Sequence, residues 1–214
     1  MKVISLDIET KNLDISNLNF NNPKGWKVSC VCIYDPTNPE DFRNYRYGDL
    51  NEIPFKAQTT LEIKGWKQLK EDLEIWYQSD YILITKNGLN FDLPIISKGI
   101  KSGGCGVKEV IQQFEDSDRH LDLQKYLEDC TQGIRFSLQN LIVAVLGANE
   151  SKLMAADEAP LSWESGDYLS VYEYCDADAK YTHDVWDRAR RKGSIQAIGK
   201  KDGEEQNCYV RVKW

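Results

Sequence analysis

The chain has 214 residues, of which 41% are hydrophobic, and a formal net charge of −7. This length fits one α/β domain, and the apolar content is enough to build a core. The negative charge argues against a broad basic nucleic-acid-binding surface, although bound cations would cancel part of it. No stretch approaches the ~18 apolar residues of a membrane span, and residues 1–10 lack a signal-peptide apolar region, so we expect a cytoplasmic protein without membrane association.

The first part of the chain has the sequence pattern of three β-strands. Alternating apolar residues in the segment 2–9 predict a buried strand that ends in Asp7 and Glu9. The segments 26–34 and 42–47 predict the next two strands. Three consecutive strands favour an antiparallel meander.

Helical and strand patterns alternate through the middle of the chain. Apolar residues at helical spacing predict an amphipathic helix over 65–78, and the apolar run 81–85 predicts a central strand. We expect one helix from about Asp92 and another over 107–114. The segment 120–127 fits a short strand and the start of a helix equally well.

The last part of the chain predicts two helices and a hairpin. Ser137 is a good N-cap, and a long helix is expected from about Tyr168 to Arg191. The remaining residues alternate around an Asp-Gly turn, which predicts a β-hairpin. We therefore expect an α/β fold, with a mixed five-stranded sheet flanked by helices in residues 1–192 and a hairpin in 193–214 packed on the same domain.

The cysteines give no sequence signal for a metal site. The six cysteines are spread along the chain, and only Cys30 and Cys32 are close to each other. A C-x-C pair within an apolar strand is poor zinc spacing, and the only histidines are His120 and His183. We expect reduced, mostly buried thiols and no metal set built from cysteine and histidine.

Three carboxylates lie at the ends of predicted elements. Asp7 and Glu9 are two residues apart on a strand, so both side chains leave the same face. Such a pair would repel unless a cation lies between them, but a strand that simply reaches solvent gives the same pattern. Asp92 follows an Asn-Gly turn, where it either contributes to a site or caps the helix that it begins.

A fourth carboxylate lies on the last long helix together with a tyrosine. Tyr174, Asp178 and Thr182 follow one another at intervals of four residues, hence on nearly one face. A contact between two helices would explain the same pattern. A second register is also present, because Tyr172 precedes Asp176 by four residues.

Taken in this order, the motifs resemble the DnaQ-like (DEDD) 3′–5′ exonuclease family, which has a ribonuclease-H-like fold. The family motifs D-x-E, N-G-x-x-F-D and Y-x-x-x-D with a later threonine match residues 7–9, 87–92 and 174–182. The sequence pattern YC-x-x-DA also resembles exonuclease domains of DNA polymerases and of helicase-associated relatives. Because position 173 is Glu, the chain is similar to the tyrosine branch of the family rather than its histidine branch. Lys86 departs from the pattern, since relatives often carry histidine there.

The resemblance implies a two-metal phosphodiesterase site in residues 1–192. Two Mg²⁺ or Mn²⁺ ions would be held by Asp7, Glu9, Asp92 and Asp178, with Asp7 as the bridging ligand. Tyr174 would orient or deprotonate the attacking water. The products would be nucleoside 5′-monophosphates released from the 3′ end of single-stranded DNA or RNA.

The resemblance also implies substrate contacts and partners. Thr10 and Leu13 would receive the terminal nucleotide, while Asn87 and Asn90 would hydrogen-bond to sugar or phosphate. A DNA polymerase or a helicase is a possible partner. Two alternatives stay open: a proofreading exonuclease subunit of a separate DNA polymerase, and a non-catalytic nucleic-acid-binding protein of the same fold.

Overall fold

A computed structural model describes residues 1–12, 25–40, 43–100, 106–147, 149, 151–155 and 157–214. Within these ranges the chain forms a six-stranded mixed sheet, surrounding helices and a separate two-stranded hairpin. The strands are β1 (Lys2–Thr10), β2 (Val28–Tyr34), β3 (Asn44–Gly48), β4 (Lys64–Gly65), β5 (Tyr81–Thr85), β6 (His120–Asp122), β7 (Ser194–Lys201) and β8 (Glu204–Arg211). The helices are α1 (Phe55–Thr60), α2 (Trp66–Gln78), α3 (Asp92–Gly99), α4 (Val107–Asp116), α5 (Leu123–Cys130), α6 (Leu138–Val145), α7 (Ala159–Ser165) and α8 (Tyr168–Lys192).

The strand order of the main sheet is β4-β3-β2-β1-β5-β6. Strands β1, β2 and β3 pair antiparallel as a meander, and β5 and β6 run parallel to β1. The predicted mixed sheet flanked by helices is therefore confirmed. The sheet has one strand more than the five predicted, because β4 has only two residues and leaves no periodic pattern in the sequence.

Strand β1 is buried on both faces and separates two layers of helices. Ile4 and Leu6 pack into a core formed with α2, α3 and α4. On the other face the hydroxyl of Ser5 donates a hydrogen bond of 2.6 Å to the carbonyl of Ala179 in α8. Because side chains alternate along a strand, Asp7 lies on the same face as Ser5 and is directed toward α8.

The segment 120–127, whose sequence fits a strand and a helix start equally well, contains both. His120–Asp122 forms β6, and α5 begins at the next residue. The Asp122 side chain is the N-cap of α5, where it accepts hydrogen bonds from the N–H groups of Gln124 and Lys125. No turn separates the two elements, so their sequence patterns overlap.

The C-terminal hairpin packs against the helical layer that contains α8. Asp202 and Gly203 both have positive φ, 52° and 86°, as the two-residue turn between β7 and β8 requires. Ile195 and Val210 of the hairpin are buried in one core with Trp186 of α8. Within the described ranges, no helix is both long and apolar enough to cross a membrane.

Candidate functional site

The predicted acids meet in one cavity of about 510 Å³ at the carboxyl end of β1. Strand β1 pairs with β5 only as far as Ser5, so its last residues extend past the end of β5. Ligands of open α/β sheets bind at such strand ends. The predicted catalytic residues that line the cavity are Asp7, Glu9, Asp92, Tyr174 and Asp178.

Three of these carboxylates form a compact group of oxygen ligands. Asp7, Glu9 and Asp178 each offer one oxygen, and these oxygens lie within 4.8 Å of one another. Asp178 is 3% exposed, and its Oδ1 is buried without a hydrogen-bond partner among the described residues. Hard divalent cations take oxygen ligands of this kind. The donor set and the unpartnered oxygen therefore fit a divalent metal ion.

The acids hold protons more tightly than isolated carboxyl groups do. Burial, followed by the charges of Asp178, Asp92 and Glu9, raises the pKa of Asp7 well above its ordinary value. Burial also raises the pKa of Asp92 to about 7. A cation that binds here relieves the repulsion, so its binding is expected to release protons.

Asp92 joins the start of α3 to the end of β1. It is the first residue of α3, and the N-cap position belongs to Phe91. The Asp92 carboxylate accepts a hydrogen bond from the backbone N–H of Ile8. Its charge raises the pKa of Asp7, which places it beside the three-acid group without making it a member.

Helix α8 contributes two residues to the lining of the cavity. Tyr174 and Asp178 both line it, and the Tyr174 side chain interacts with the Asp178 carboxylate. Tyr174 is only 1% exposed. Thr182, the last residue of the predicted motif, is fully buried one turn further on and is not part of the lining.

The other tyrosine–aspartate pair on α8, Tyr172 and Asp176, lies away from the cavity. The hydroxyl of Tyr172 donates a hydrogen bond of 3.1 Å to a backbone carbonyl of β3. Asp176 pairs with Arg46 at 2.6 Å. Neither Tyr172 nor Asp176 lines the cavity. The pair that lies beside the other acids is Tyr174 and Asp178.

Lys152 is a site residue that sequence reasoning missed. Its ammonium pairs with Asp178 and lies 4.8 Å from the centroid of the Tyr174 ring. Burial lowers the pKa of Lys152, but the neighbouring charges of Asp178, Asp7 and Glu9 outweigh this and raise it. A single lysine in the polar segment 147–167 carries no sequence signal.

The Asn-Gly turn beside the cavity is held by an acid that the motif does not contain. The N–H groups of Asn87 and Leu89 each donate a 2.9 Å hydrogen bond to the carboxylate of Asp122. Asn87 has a φ of 68°, a conformation that asparagine tolerates. At Gly88 a Cβ atom would lie 2.3 Å from Oγ1 of Thr85, so the turn requires glycine there.

The predicted substrate-binding residues are only partly brought together. Thr10 and Asn87 line the cavity, and so does Lys86, whose pKa is lowered by burial to about 8. Asn90 is exposed and is not part of the lining. Leu13 lies outside the described residues.

Comparisons with known proteins show a shared fold. No protein-family model matches the chain, and no curated protein matches it. The structure is similar to that of the family B DNA polymerase from the hyperthermophilic archaeon Pyrobaculum calidifontis, with a TM-score of 0.55 and 12% sequence identity. The similarity covers 88% of this chain and 24% of the polymerase, so the chain corresponds to about a quarter of the length of that protein.

Proposed function

We propose that this protein is a metal-dependent 3′–5′ exonuclease that hydrolyses the terminal phosphodiester bond of single-stranded DNA or RNA. The observation that carries the proposal is the group of Asp7, Glu9 and Asp178 oxygens within 4.8 Å of one another. Two further observations support it: the order of the sequence motifs, and a fold shared with part of a DNA polymerase.

The acids would hold two Mg²⁺ or Mn²⁺ ions. Asp7, Glu9 and Asp178 would bind one ion, and Asp7 together with Asp92 would bind the other. Bound there, the ions would stabilise the charge that develops on the attacking water and on the leaving 3′-oxygen. Asp7 is the proposed bridging ligand, as the resemblance of the sequence motifs implies.

Tyr174 and Lys152 would act on the reacting groups directly. Burial, followed by the charge of Asp178, raises the pKa of Tyr174, so the hydroxyl stays protonated at neutral pH. It would therefore orient the attacking water and not deprotonate it. The Lys152 ammonium forms an ion pair with Asp178. From this position it would neutralise the charge of a phosphate oxygen.

The cavity suits one nucleotide at the end of a strand. Its volume of about 510 Å³ lies within the range of small-molecule sites. Trp26 and Phe91 line one wall, and their rings meet edge to face at 5.1 Å. An aromatic wall of this kind would contact a base without reading its identity, while Thr10 and Asn87 would contact sugar or phosphate.

The fold similarity favours one more specific candidate, a proofreading exonuclease subunit that works beside a separate DNA polymerase. The part of the polymerase that this chain matches in fold is about a quarter of its length, and in this candidate function a separate protein would perform the polymerisation. A helicase partner and a cytoplasmic location remain predictions from the sequence.

Labelled strands test the proposed reaction. Single-stranded DNA and RNA carrying a 5′ label would be incubated with the protein and Mg²⁺, Mn²⁺ or EDTA. We expect a ladder that shortens from the 3′ end only when metal is present, and no ladder with Asp7→Asn. The matched control is Asp116→Asn, an exposed acid on α4 outside the cavity lining, which should cleave normally. Absence of metal-dependent hydrolysis on every strand would reject the proposal.

A further inference from the structure

Three thiols meet between β2 and α8. The Sγ atoms of Cys30, Cys32 and Cys175 lie within 4.8 Å of one another, and all three residues are fully buried. The expectation of mostly buried thiols holds for these three residues, while their spacing along the chain did not indicate that they lie together. Cys175 is far from the other two along the chain, and only the packing of α8 on β2 brings it to them.

The thiol cluster, defined as Cys30, Cys32 and Cys175, lies beside the acids but is separate from them. Cys30 is the cross-strand partner of Glu9, and Cys32 is the partner of Asp7. Cross-strand partners project from the same face of the sheet, so thiols and acids lie side by side beneath α8. The thiol of Cys175 donates a 3.4 Å hydrogen bond to the Asp7 carbonyl, yet no cysteine lines the cavity in the described part of the chain.

The buried carboxylate of Asp176 lies beside Cys32, one member of the thiol cluster. The carboxylate of Asp176 interacts with the Cys32 thiol, and its Oδ2 pairs with Arg46 at 2.6 Å. The other oxygen, Oδ1, is buried and has no hydrogen-bond partner among the described residues. A buried carboxylate oxygen without a partner is unfavourable, and a bound cation would supply the missing interaction.

We propose that the thiol cluster binds one Zn²⁺ ion, with Asp176 as the fourth ligand. Thiolates select Zn²⁺ over the hard ions Mg²⁺ and Mn²⁺, and structural zinc takes four tetrahedral ligands. With Zn–S bonds of about 2.3 Å the sulfur atoms would be about 3.8 Å apart, and the observed Sγ atoms lie within 4.8 Å of one another. The Asp176 carboxylate is outside this group, so it would have to turn toward the sulfur atoms to become a ligand.

The charges of the proposed site are nearly balanced. Binding replaces the three thiol protons by one Zn²⁺ ion and releases those protons to solvent. Three thiolates and Asp176 carry four negative charges, and Zn²⁺ together with Arg46 compensates three of them. One negative charge is left over.

A zinc ion at this position would join β2 to α8. Helix α8 carries Tyr174 and Asp178, so the ion would fix the helix above the end of β1. Because zinc binds as the chain folds, it would add to the stability of the folded protein. The alternative is that the three cysteines act only as small apolar core residues, in which case they bind no metal.

Metal content and ligand type test this proposal independently of nuclease activity. The reduced, metal-stripped protein would be refolded with excess Mg²⁺ and one equivalent of Zn²⁺, then desalted. We expect one Zn²⁺ per chain by mass spectrometry, with sulfur neighbours at about 2.3 Å in the X-ray absorption spectrum. Co²⁺ in place of Zn²⁺ should give thiolate-to-metal charge-transfer absorption.

Variants locate the ion. Cys175→Ser and Cys32→Ala should each weaken Zn²⁺ binding at least ~100-fold, since loss even of an outer partner of a ligand weakens binding by ~10–100-fold. Two control variants should keep the zinc: Cys208→Ser, which changes a half-buried cysteine of the hairpin, and Asp7→Asn. Wild-type protein that retains no zinc, or zinc with oxygen and nitrogen neighbours alone, would overturn the proposal whether or not the variants fold. Unchanged affinity in both cysteine variants would overturn it as well.

Discussion

Among single residues, Tyr174 shows how burial selects one of two chemical roles. Burial and the neighbouring acids raise the pKa of its hydroxyl, so in the proposed reaction it would donate a hydrogen bond and would not act as a base. We predict that Tyr174→Phe lowers kcat by roughly 100-fold and leaves KM nearly unchanged. Steady-state kinetics on a single-stranded oligonucleotide measures both constants.

The matched control for Tyr174 is Tyr172, two residues earlier on α8. Its hydroxyl donates to a carbonyl of β3 and does not reach the cavity. Tyr172→Phe should therefore lower the free energy of unfolding by about 1 kcal/mol while kcat stays normal. A normal kcat in Tyr174→Phe combined with a low kcat in Tyr172→Phe would show that the other register carries the chemistry.

Lys152 is expected to contribute through its charge. A hydrogen bond between an ammonium and a phosphate oxygen contributes about 1.5–3 kcal/mol, so Lys152→Met should lower kcat/KM by roughly tenfold to a hundredfold. Lys180→Met is the control, because Lys180 pairs with Asp184 on α8 outside the cavity lining. If Lys152→Met tightened Mg²⁺ binding and left the rate unchanged, the lysine would only shield Asp178.

The sequence could indicate the acids but not the lysine. Asp7, Glu9 and Asp92 follow apolar runs or turns at points where a strand or helix must begin or end, and this placement makes them visible. Lys152 stands in a polar segment where any charged residue is ordinary. Only the folded path of that segment shows that its ammonium reaches Asp178.

Among the elements, Asp122 links β6, α5 and the Asn-Gly turn through one carboxylate. It accepts hydrogen bonds from the N–H groups of Asn87, Leu89 and Gln124, all at 2.9 Å. We predict that Asp122→Ala lowers the free energy of unfolding by about 2–3 kcal/mol, because a helix cap is lost and two further, partly buried N–H groups lose their partner. Urea denaturation measures this change.

The same variant should also weaken substrate binding. The Asn-Gly turn forms part of the cavity wall, so its loosening is expected to raise KM. Asp129→Ala is the control, since Asp129 is an exposed residue of α5 that pairs with Lys125. If Asp122→Ala were as stable as the Asp129 variant, the hydrogen bonds of Asp122 would not hold the turn.

Elements with a long periodic pattern were predictable, whereas short ones were not. The helix predicted over 65–78 is α2 (Trp66–Gln78), and the strand predicted over 81–85 is β5. Helices α1 and α7 have six and seven residues and give too few turns for a periodic pattern. Tertiary packing decides these elements: Pro160 and Trp163 of α7, for example, are buried.

For the whole molecule, the acidic site should make stability depend on pH and on metal. The folded-state pKa of Asp92 is raised from 3.8 to about 7, and that of Asp7 is also raised. Between these pH values the metal-free folded protein binds more protons than the unfolded chain, so its stability falls as the pH rises. We predict a Tm that decreases over this window in EDTA.

Divalent metal should remove this pH dependence. Mg²⁺ binds the ionised acids, so the rise in Tm that it causes should be larger near pH 7 than near pH 5. Thermal unfolding followed by circular dichroism measures both effects, and Asp92→Asn should flatten the curve in EDTA. A Tm rise with Mg²⁺ that is the same at both pH values would contradict the proposed metal ligands.

The relation between α8 and the sheet is the part of the molecule that sequence could not supply. The alternation in β1 predicted which residues share a face, and the four-residue spacing on α8 predicted another shared face. How the helix crosses the strands decides that Asp178 meets Asp7, and that Cys175 meets Cys30 and Cys32. Such contacts join residues far apart in the chain and leave no local pattern.

Hydrolysis in H₂¹⁸O tests the central claim most directly. A single-stranded oligonucleotide would be digested with Mg²⁺ in labelled water, and the products would be weighed by mass spectrometry. We predict nucleoside 5′-monophosphates that carry one ¹⁸O on the phosphate, and a shortened strand with an unlabelled 3′-hydroxyl. Products ending in 3′-phosphate, or equal release by Asp7→Asn, would contradict the account.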